Sequence, residues 1–283
     1  MNKEFSLKTK NGDYIHISAY GYENISVAPC LILVHGFKGF KDWGFFPYTA
    51  KYFAEKGYFV ITFNFSHNGV ADSNDSFSEV EKFAKNTVSL EISELVQIIN
   101  AYKNLFFGGK VFGKIGLIGH SRGGGIVLLS SFIEKNVDCY VVWASVERFD
   151  RYTERQKAEW RNAGYIEVQN SRTKQLMRLN IDLLEDIETN KFDSHNIELA
   201  VKKLDKELLI IHGEQDLTVP ISEGEHIFES RNKKITVFYK IPAAGHTFDI
   251  VHPFEGSNNK FNSVLLNTEQ FLNNIFTKKS ISN

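Results

Sequence analysis

Short, mostly apolar runs recur along this chain: Cys30 to Val34, which is continuously apolar, Tyr58 to Phe65, Ile115 to Ile118, Cys139 to Trp143 and Leu208 to Ile211. Runs of that kind predict strands covered on both faces, as in a parallel sheet. Helical spacing fills the gaps between them. Pro47 suits the first position of a helix predicted to reach Lys56 and to close at Gly57. Ser78-x-x-Glu81 reads as a capping box, and Phe83, Val88, Ile92, Leu95 and Ile99 carry one apolar face on to Tyr102. A helix from Ser222, a strand over Ile235 to Ile241 and a helix over Asn262 to Ile275 complete the rhythm. Residues 4–20 read as two strands joined at Asn11-Gly12, the pair favoured by a type I′ turn. Strands that alternate with helices predict right-handed crossovers. The fold class expected is α/β, with a mostly parallel central sheet of about eight strands and an N-terminal antiparallel hairpin.

The rhythm breaks near Ser145. Residues 147–206 carry charged helical segments and no long strand-like run. Helices are predicted over Tyr152 to Arg161, over Thr173 to Glu185 with Leu176, Leu179 and Leu183 on one face, and around Ile197, Val201 and Leu204. The expected organisation is a core of residues 1–146 and 207–283 with a helical cap inserted at 147–206. The cap is either a lid over a site or a set of solvated surface helices.

Lys114 to Gly125, KIGLIGHSRGGG, is where chemistry concentrates. A strand turns sharply through Gly119-His120-Ser121-Arg122-Gly123 and enters an apolar helix. A serine on such a turn has its hydroxyl pushed out above the sheet edge, and its neighbours must be small where the chain folds back. The following helix also aims its free N–H groups at that spot. Ser121 is therefore the candidate nucleophile.

A serine hydroxyl needs a base, and the base needs an oriented acceptor. Open α/β sheets gather such groups at the C-terminal edge of their strands. His212-Gly213-Glu214-Gln215-Asp216 and Ile241-Pro242-Ala243-Ala244-Gly245-His246 both follow predicted strands. Asp216 is the candidate acid, with Glu214 and Glu147 as rivals, and His246 is the candidate base. His212 is expected to pack or turn, and His120 to point away from Ser121. Two backbone N–H groups, of Phe37 and Arg122, are the expected oxyanion donors. The Arg122 side chain is expected in a structural ion pair. Trp43 and Phe45, in the aromatic loop Phe40 to Phe46, and Trp143 are candidate substrate contacts.

Composition narrows the field. The 283 residues are 42% hydrophobic and 24% charged, enough for a sizeable core, and the formal net charge of −1 supplies no field for nucleic acid or anionic membrane. The two cysteines, Cys30 and Cys139, fall inside apolar runs and are expected as buried free thiols. No apolar leader and no run of about 18 apolar residues occurs, which predicts a cytoplasmic protein with no membrane span. Gly108-Gly109-Lys110 lacks the P-loop pattern, and neither H-E-x-x-H nor a dense ligand cluster suggests a metal. No cofactor is expected, and homodimer formation is left open.

Four motifs in order, His35-Gly36-Phe37, Gly119-His120-Ser121-Arg122-Gly123, His212-Gly213-Glu214-Gln215-Asp216 and Gly245-His246, resemble those of the α/β-hydrolase superfamily over nearly the whole chain. Within it the chain is similar to the cinnamoyl/feruloyl esterase-like and dienelactone-hydrolase-like groups and to serine peptidases of the aminopeptidase type. It departs from true dienelactone hydrolases, which place a Cys where Ser121 stands, and from haloalkane dehalogenases and epoxide hydrolases, which place an Asp there. The resemblance implies a serine hydrolase acting on a small ester through an acyl-enzyme. Two alternatives remain. One is a peptidase binding a free amine through Glu147, Glu154, Glu159 or Glu167, and the other is a non-catalytic ligand-binding member of the fold.

Overall fold

The computed structural model describes residues 2–71, 77–170 and 174–277. The end of the expected loop from Ser66 to Ser76, and Thr173 at the start of one expected helix, lie outside them.

The N-terminal strands are β1 (Lys3–Lys8) and β2 (Tyr14–Tyr20). Their turn is not the expected two-residue one. Thr9 N–H donates to Asp13 O across a wider loop, and Gly12 has positive φ (93°) whereas Asn11 does not. β3 (Cys30–Val34), α1 (Phe46–Glu55) and β4 (Phe59–Phe63) follow, with Pro47 at the start of α1 as expected. The single helix expected from Ser78 to Tyr102 is two: α2 (Val80–Ala84) and α3 (Val88–Lys103). Thr87 breaks it. Its backbone is extended and its Oγ1 accepts from Leu90 N–H at 3.1 Å, capping α3, whereas α2 starts after Glu79 without a side-chain cap. The local cap at Thr87 outweighed the continuous apolar stripe.

β5 (Ile115–His120), α4 (Arg122–Ser130) and β6 (Cys139–Trp143) form the middle of the chain. Beyond the segment that follows β6, β9 (Glu207–Gly213), α8 (Ile221–Glu229), β10 (Thr236–Ile241) and α9 (Asn259–Thr277) complete the fold. The eight strands of the main sheet run in the order β1-β2-β4-β3-β5-β6-β9-β10. The β1–β2 and β2–β4 pairs are antiparallel and all others parallel.

Side chains alternate across this sheet into two cores. Cys30, Ile32 and Val34 of β3 join the core under α3 and α4, while Leu31 and Leu33 join the core under α1 and α9. Both cysteines are buried and free, and burial pushes both thiols well above their ordinary pKa.

The segment between β6 and β9 is not all helical. It holds α5 (Glu154–Ala163), a hairpin of β7 (Tyr165–Gln169) and β8 (Leu176–Asn180), then α6 (Ile181–Asn190) and α7 (Ile197–Lys203). Within the expected helix from Thr173 to Glu185, Leu176–Asn180 is strand and helix begins only at Ile181. Leu176, placed on its apolar face, is exposed, whereas Met177 and Leu179 are buried at a spacing of two. The segment thus holds helices and one hairpin. Among the described residues no helix is long and apolar enough to cross a membrane.

Candidate active site

Ser121 sits alone between β5 and α4 with φ 58° and ψ −123°. That left-handed backbone costs a non-glycine residue about 1–3 kcal/mol. Its neighbours hold it there. Ser121 N–H donates to Trp143 O at 2.9 Å, and Ser121 O accepts from Gly124 N–H at 3.0 Å. The flanking glycines leave no room for a side chain. A Cβ on Gly119 would lie 2.4 Å from Gly123 O, and one on Gly123 would lie 2.4 Å from both Val34 O and His35 O. These contacts are backbone and cannot rotate away. Gly123→Ala should therefore destabilise the protein by about 3 kcal/mol, seen as a lower urea midpoint with unchanged slope. An unshifted midpoint would mean that α4 moves off β3 freely.

The loops after β9 and β10 bring the other two candidates to the serine. His246 Nε2 lies 3.0 Å from Ser121 Oγ, and His246 Nδ1 lies 2.7 Å from Asp216 Oδ2. The second carboxylate oxygen, Oδ1, accepts from Thr218 and Val219 N–H, each at 2.9 Å. One oxygen is thus tied to the backbone and the other is aimed at the imidazole. Asp216 is buried, which alone would raise its pKa. The hydrogen bonds from His212, His246 and Val219 N–H outweigh burial and hold the carboxyl well below the usual range. The His246 loop is fastened by Lys260 of α9, whose Nζ donates to Ala243 O at 2.5 Å, and by Asp249, which accepts from Gly245 N–H at 3.0 Å.

The rival acids lie elsewhere. Glu214 is exposed, and Glu147 pairs with His226 Nδ1 at 2.8 Å. One histidine matters more than the sequence suggested, and a second packs at a turn as expected. His120 does lie against Phe45, on the α1 side of the sheet. Its Nε2 nevertheless donates to His246 O at 2.9 Å, so it braces the base from behind. Burial, with His246 close by, lowers its pKa to about 3 and keeps it a neutral donor. His212 is fully buried, with Nε2 2.9 Å from Val219 O and 3.4 Å from Asp216 Oδ2. The His120 role depends on a loop that folds back from distant sequence, so no local pattern announces it, whereas His212 bonds within its own strand-end turn.

The loop after β3 forms the facing wall. His35 is buried and neutral, since burial lowers its pKa to about 4. Its Nδ1–H donates to Gly36 O at 2.9 Å. Asn64 and Asn68, from the loop after β4, hold the same segment through Lys41 N–H (2.6 Å) and Gly39 O (3.3 Å). Gly36 passes so close to Ser121 that a Cβ there would lie 3.0 Å from the serine Cβ. The Arg122 side chain is an ion-pair partner, as expected. Its Nε donates to the buried Glu91 at 2.7 Å, and its guanidinium lies over the Phe37 ring at 5.8 Å.

A cavity of about 450 Å³ opens over Ser121 and His246, lined by Phe37, Phe40, Trp43, Phe46 and Phe77 among others. Trp43 therefore sits where the sequence reading put it. Phe45 and Trp143 do not. Phe45 is fully buried against Phe46, Trp143 and Phe261, and Trp143 turns its indole N–H to Thr268 Oγ1 at 3.2 Å. Phe46, one residue on, takes the lining position instead. None of Glu147, Glu154, Glu159 and Glu167 lines this cavity. Glu154, Glu159 and Glu167 pair with Lys157, Arg155 and Arg178.

The family described as BAAT / Acyl-CoA thioester hydrolase C terminal matches residues 99–259, more than half of the chain. The chain belongs to that family. The match spans Ser121, Asp216 and His246. A comparison with curated proteins finds no match. Among solved structures the chain is similar to Est1E from Butyrivibrio proteoclasticus with ferulic acid bound, at 17% identity and a TM-score of 0.75 over 97% of this chain and 100% of that one. It is also similar to α/β hydrolase domain-containing protein 10 from mouse, at 12% identity and a TM-score of 0.73 over 96% and 99%. A monoacylglycerol lipase from Paleococcus ferrophilus matches at 14% identity and a TM-score of 0.67 over 91% and 98%. At these identities the likeness establishes the α/β-hydrolase fold.

Proposed function

We propose that this member of the family is a serine hydrolase that cleaves a carboxylic ester through an acyl-enzyme. The reading is carried by one observation, the continuous chain of hydrogen bonds from Ser121 Oγ through His246 to Asp216. Ser121 Oγ attacks the acyl carbon while His246 Nε2 takes its proton. The oxyanion forms against the amides of Phe37 and Arg122, the latter at the N-terminus of α4, where helix N–H groups lack intrahelical partners. His246 then protonates the leaving alkoxide. Water attacks the acyl-enzyme with the same histidine as base, which restores Ser121. The aromatic wall suits an apolar or aryl group.

A second reading, thioester cleavage on the same serine, is favoured by the family description, which names acyl-CoA thioester hydrolases. Initial rates on p-nitrophenyl esters of graded acyl length, beside CoA thioesters and aminoacyl amides, separate these reactions. Turnover of short or aryl esters above both other classes is expected. Faster turnover of CoA thioesters would move the substrate class. Turnover only of amides with a free amine would replace the esterase reading with the peptidase.

A further inference from the structure

We infer that Lys38 is a specificity residue that receives a carboxylate carried by the substrate, an inference that rests on the hydrolase reading of the same cavity. Lys38 follows Phe37 and lines the cavity over Ser121. Among the described residues lining that cavity no acid occurs, and Lys38 is the only lysine or arginine. Its Nζ donates to a neutral group, Gln169 O at the end of β7, at 3.0 Å. An ammonium carries three donors, so this bond leaves capacity for an anion. Burial is what pulls its pKa below the ordinary lysine value. A carboxylate bound there would relieve that penalty.

The backbone points the same way. Lys38 has φ 57°, in the left-handed region where glycine carries no strain. A long cationic side chain held at such a position, one residue from an expected oxyanion donor, calls for a job beyond the turn. One half-buried ammonium matches one negative charge, which fits a monoanionic carboxylate better than a phosphate dianion. The substrate class expected is an ester with an apolar or aryl body and a carboxylate on its acyl or alcohol side.

Calorimetric binding of uncleaved anilides in a Ser121→Ala background tests this. Adipic acid monoanilide is compared with hexananilide, and 4-acetamidobenzoate with 4-methylacetanilide, so that the pairs place the carboxylate on opposite sides of the acyl bond. The protein without further change should prefer the carboxylate member of at least one pair. That preference, as a ratio of Kd values, should fall about tenfold in Lys38→Met. Lys38→Gly, which the backbone accommodates, should give the same fall and guards against a folding defect in the first variant. No preference in either pair, or a preference that survives both substitutions, overturns the inference. Equal weakening of both members would assign Lys38 to fastening the loop against β7, and also overturns it. Hydrolysis of p-nitrophenyl esters by the unaltered protein is scored separately. A retained carboxylate preference without hydrolysis would sink the esterase reading and leave Lys38 in place.

Discussion

Ser121→Ala should lower kcat/KM on the best p-nitrophenyl ester by about 10⁴- to 10⁶-fold, with the residual rate coming from substrate binding and oxyanion donors. Only Oγ is removed. Alanine bears the same φ of 58° at no extra cost, and the backbone bonds that Ser121 donates to Trp143 O and accepts from Gly124 N–H do not involve the side chain. His246 keeps its bond to Asp216, so the base remains in place with nothing to deprotonate. Circular dichroism and the urea midpoint should match the unaltered protein. A serine-directed fluorophosphonate should add one adduct mass to the unaltered protein and none to the variant. Equal rates in the two proteins would remove Ser121 as the nucleophile and with it the acyl-enzyme.

What could be read from the sequence was what the chain carries locally. The elbow is contiguous, and its strand, small residues and helix follow one another in the order their chemistry needs. Asp216 and His246 were legible because each follows a predicted strand that ends in a short loop, which fixes them to one sheet edge. The β7–β8 hairpin was missed because Leu176, Leu179 and Leu183 imitate a helical face, while the burial that decides the period belongs to Met177 and Leu179. Phe45 and Trp143 were misplaced for a related reason. An aromatic loop predicts an apolar wall, but which ring faces the cavity depends on how α1 and α9 close over the sheet. That closure buries Phe45 and leaves Trp43 and Phe46 at the surface of the cavity. The braces at His120 and Glu91 each join residues far apart in sequence, so only the assembled fold displays them.

Asp216→Asn should lower kcat by about 10⁴-fold while changing KM little, because Asp216 touches His246 and not the cavity. Thr218 and Val219 N–H groups hold Oδ1, so the replacement keeps its carbonyl there and turns its NH₂ toward His246 Nδ1. That nitrogen must then accept, which moves the imidazole proton to Nε2. A protonated Nε2 facing Ser121 Oγ cannot take the serine proton. The carboxylate is also linked to stability. Its folded pKa is depressed, from burial offset by stronger hydrogen bonds, so it stabilises the fold above its unfolded value near 3.8 and that contribution is lost as pH falls below it. The unaltered protein should therefore exceed Asp216→Asn in stability at neutral pH, and the gap should narrow as pH drops below about 4. Urea unfolding of both proteins across pH 3 to 8 measures this. A gap independent of pH would mean that the carboxylate charge contributes nothing to folding. An undiminished kcat would mean that Glu214 or another acid orients His246. The two measurements are independent, because rate reads the tautomer of His246 and stability reads the charge on Asp216.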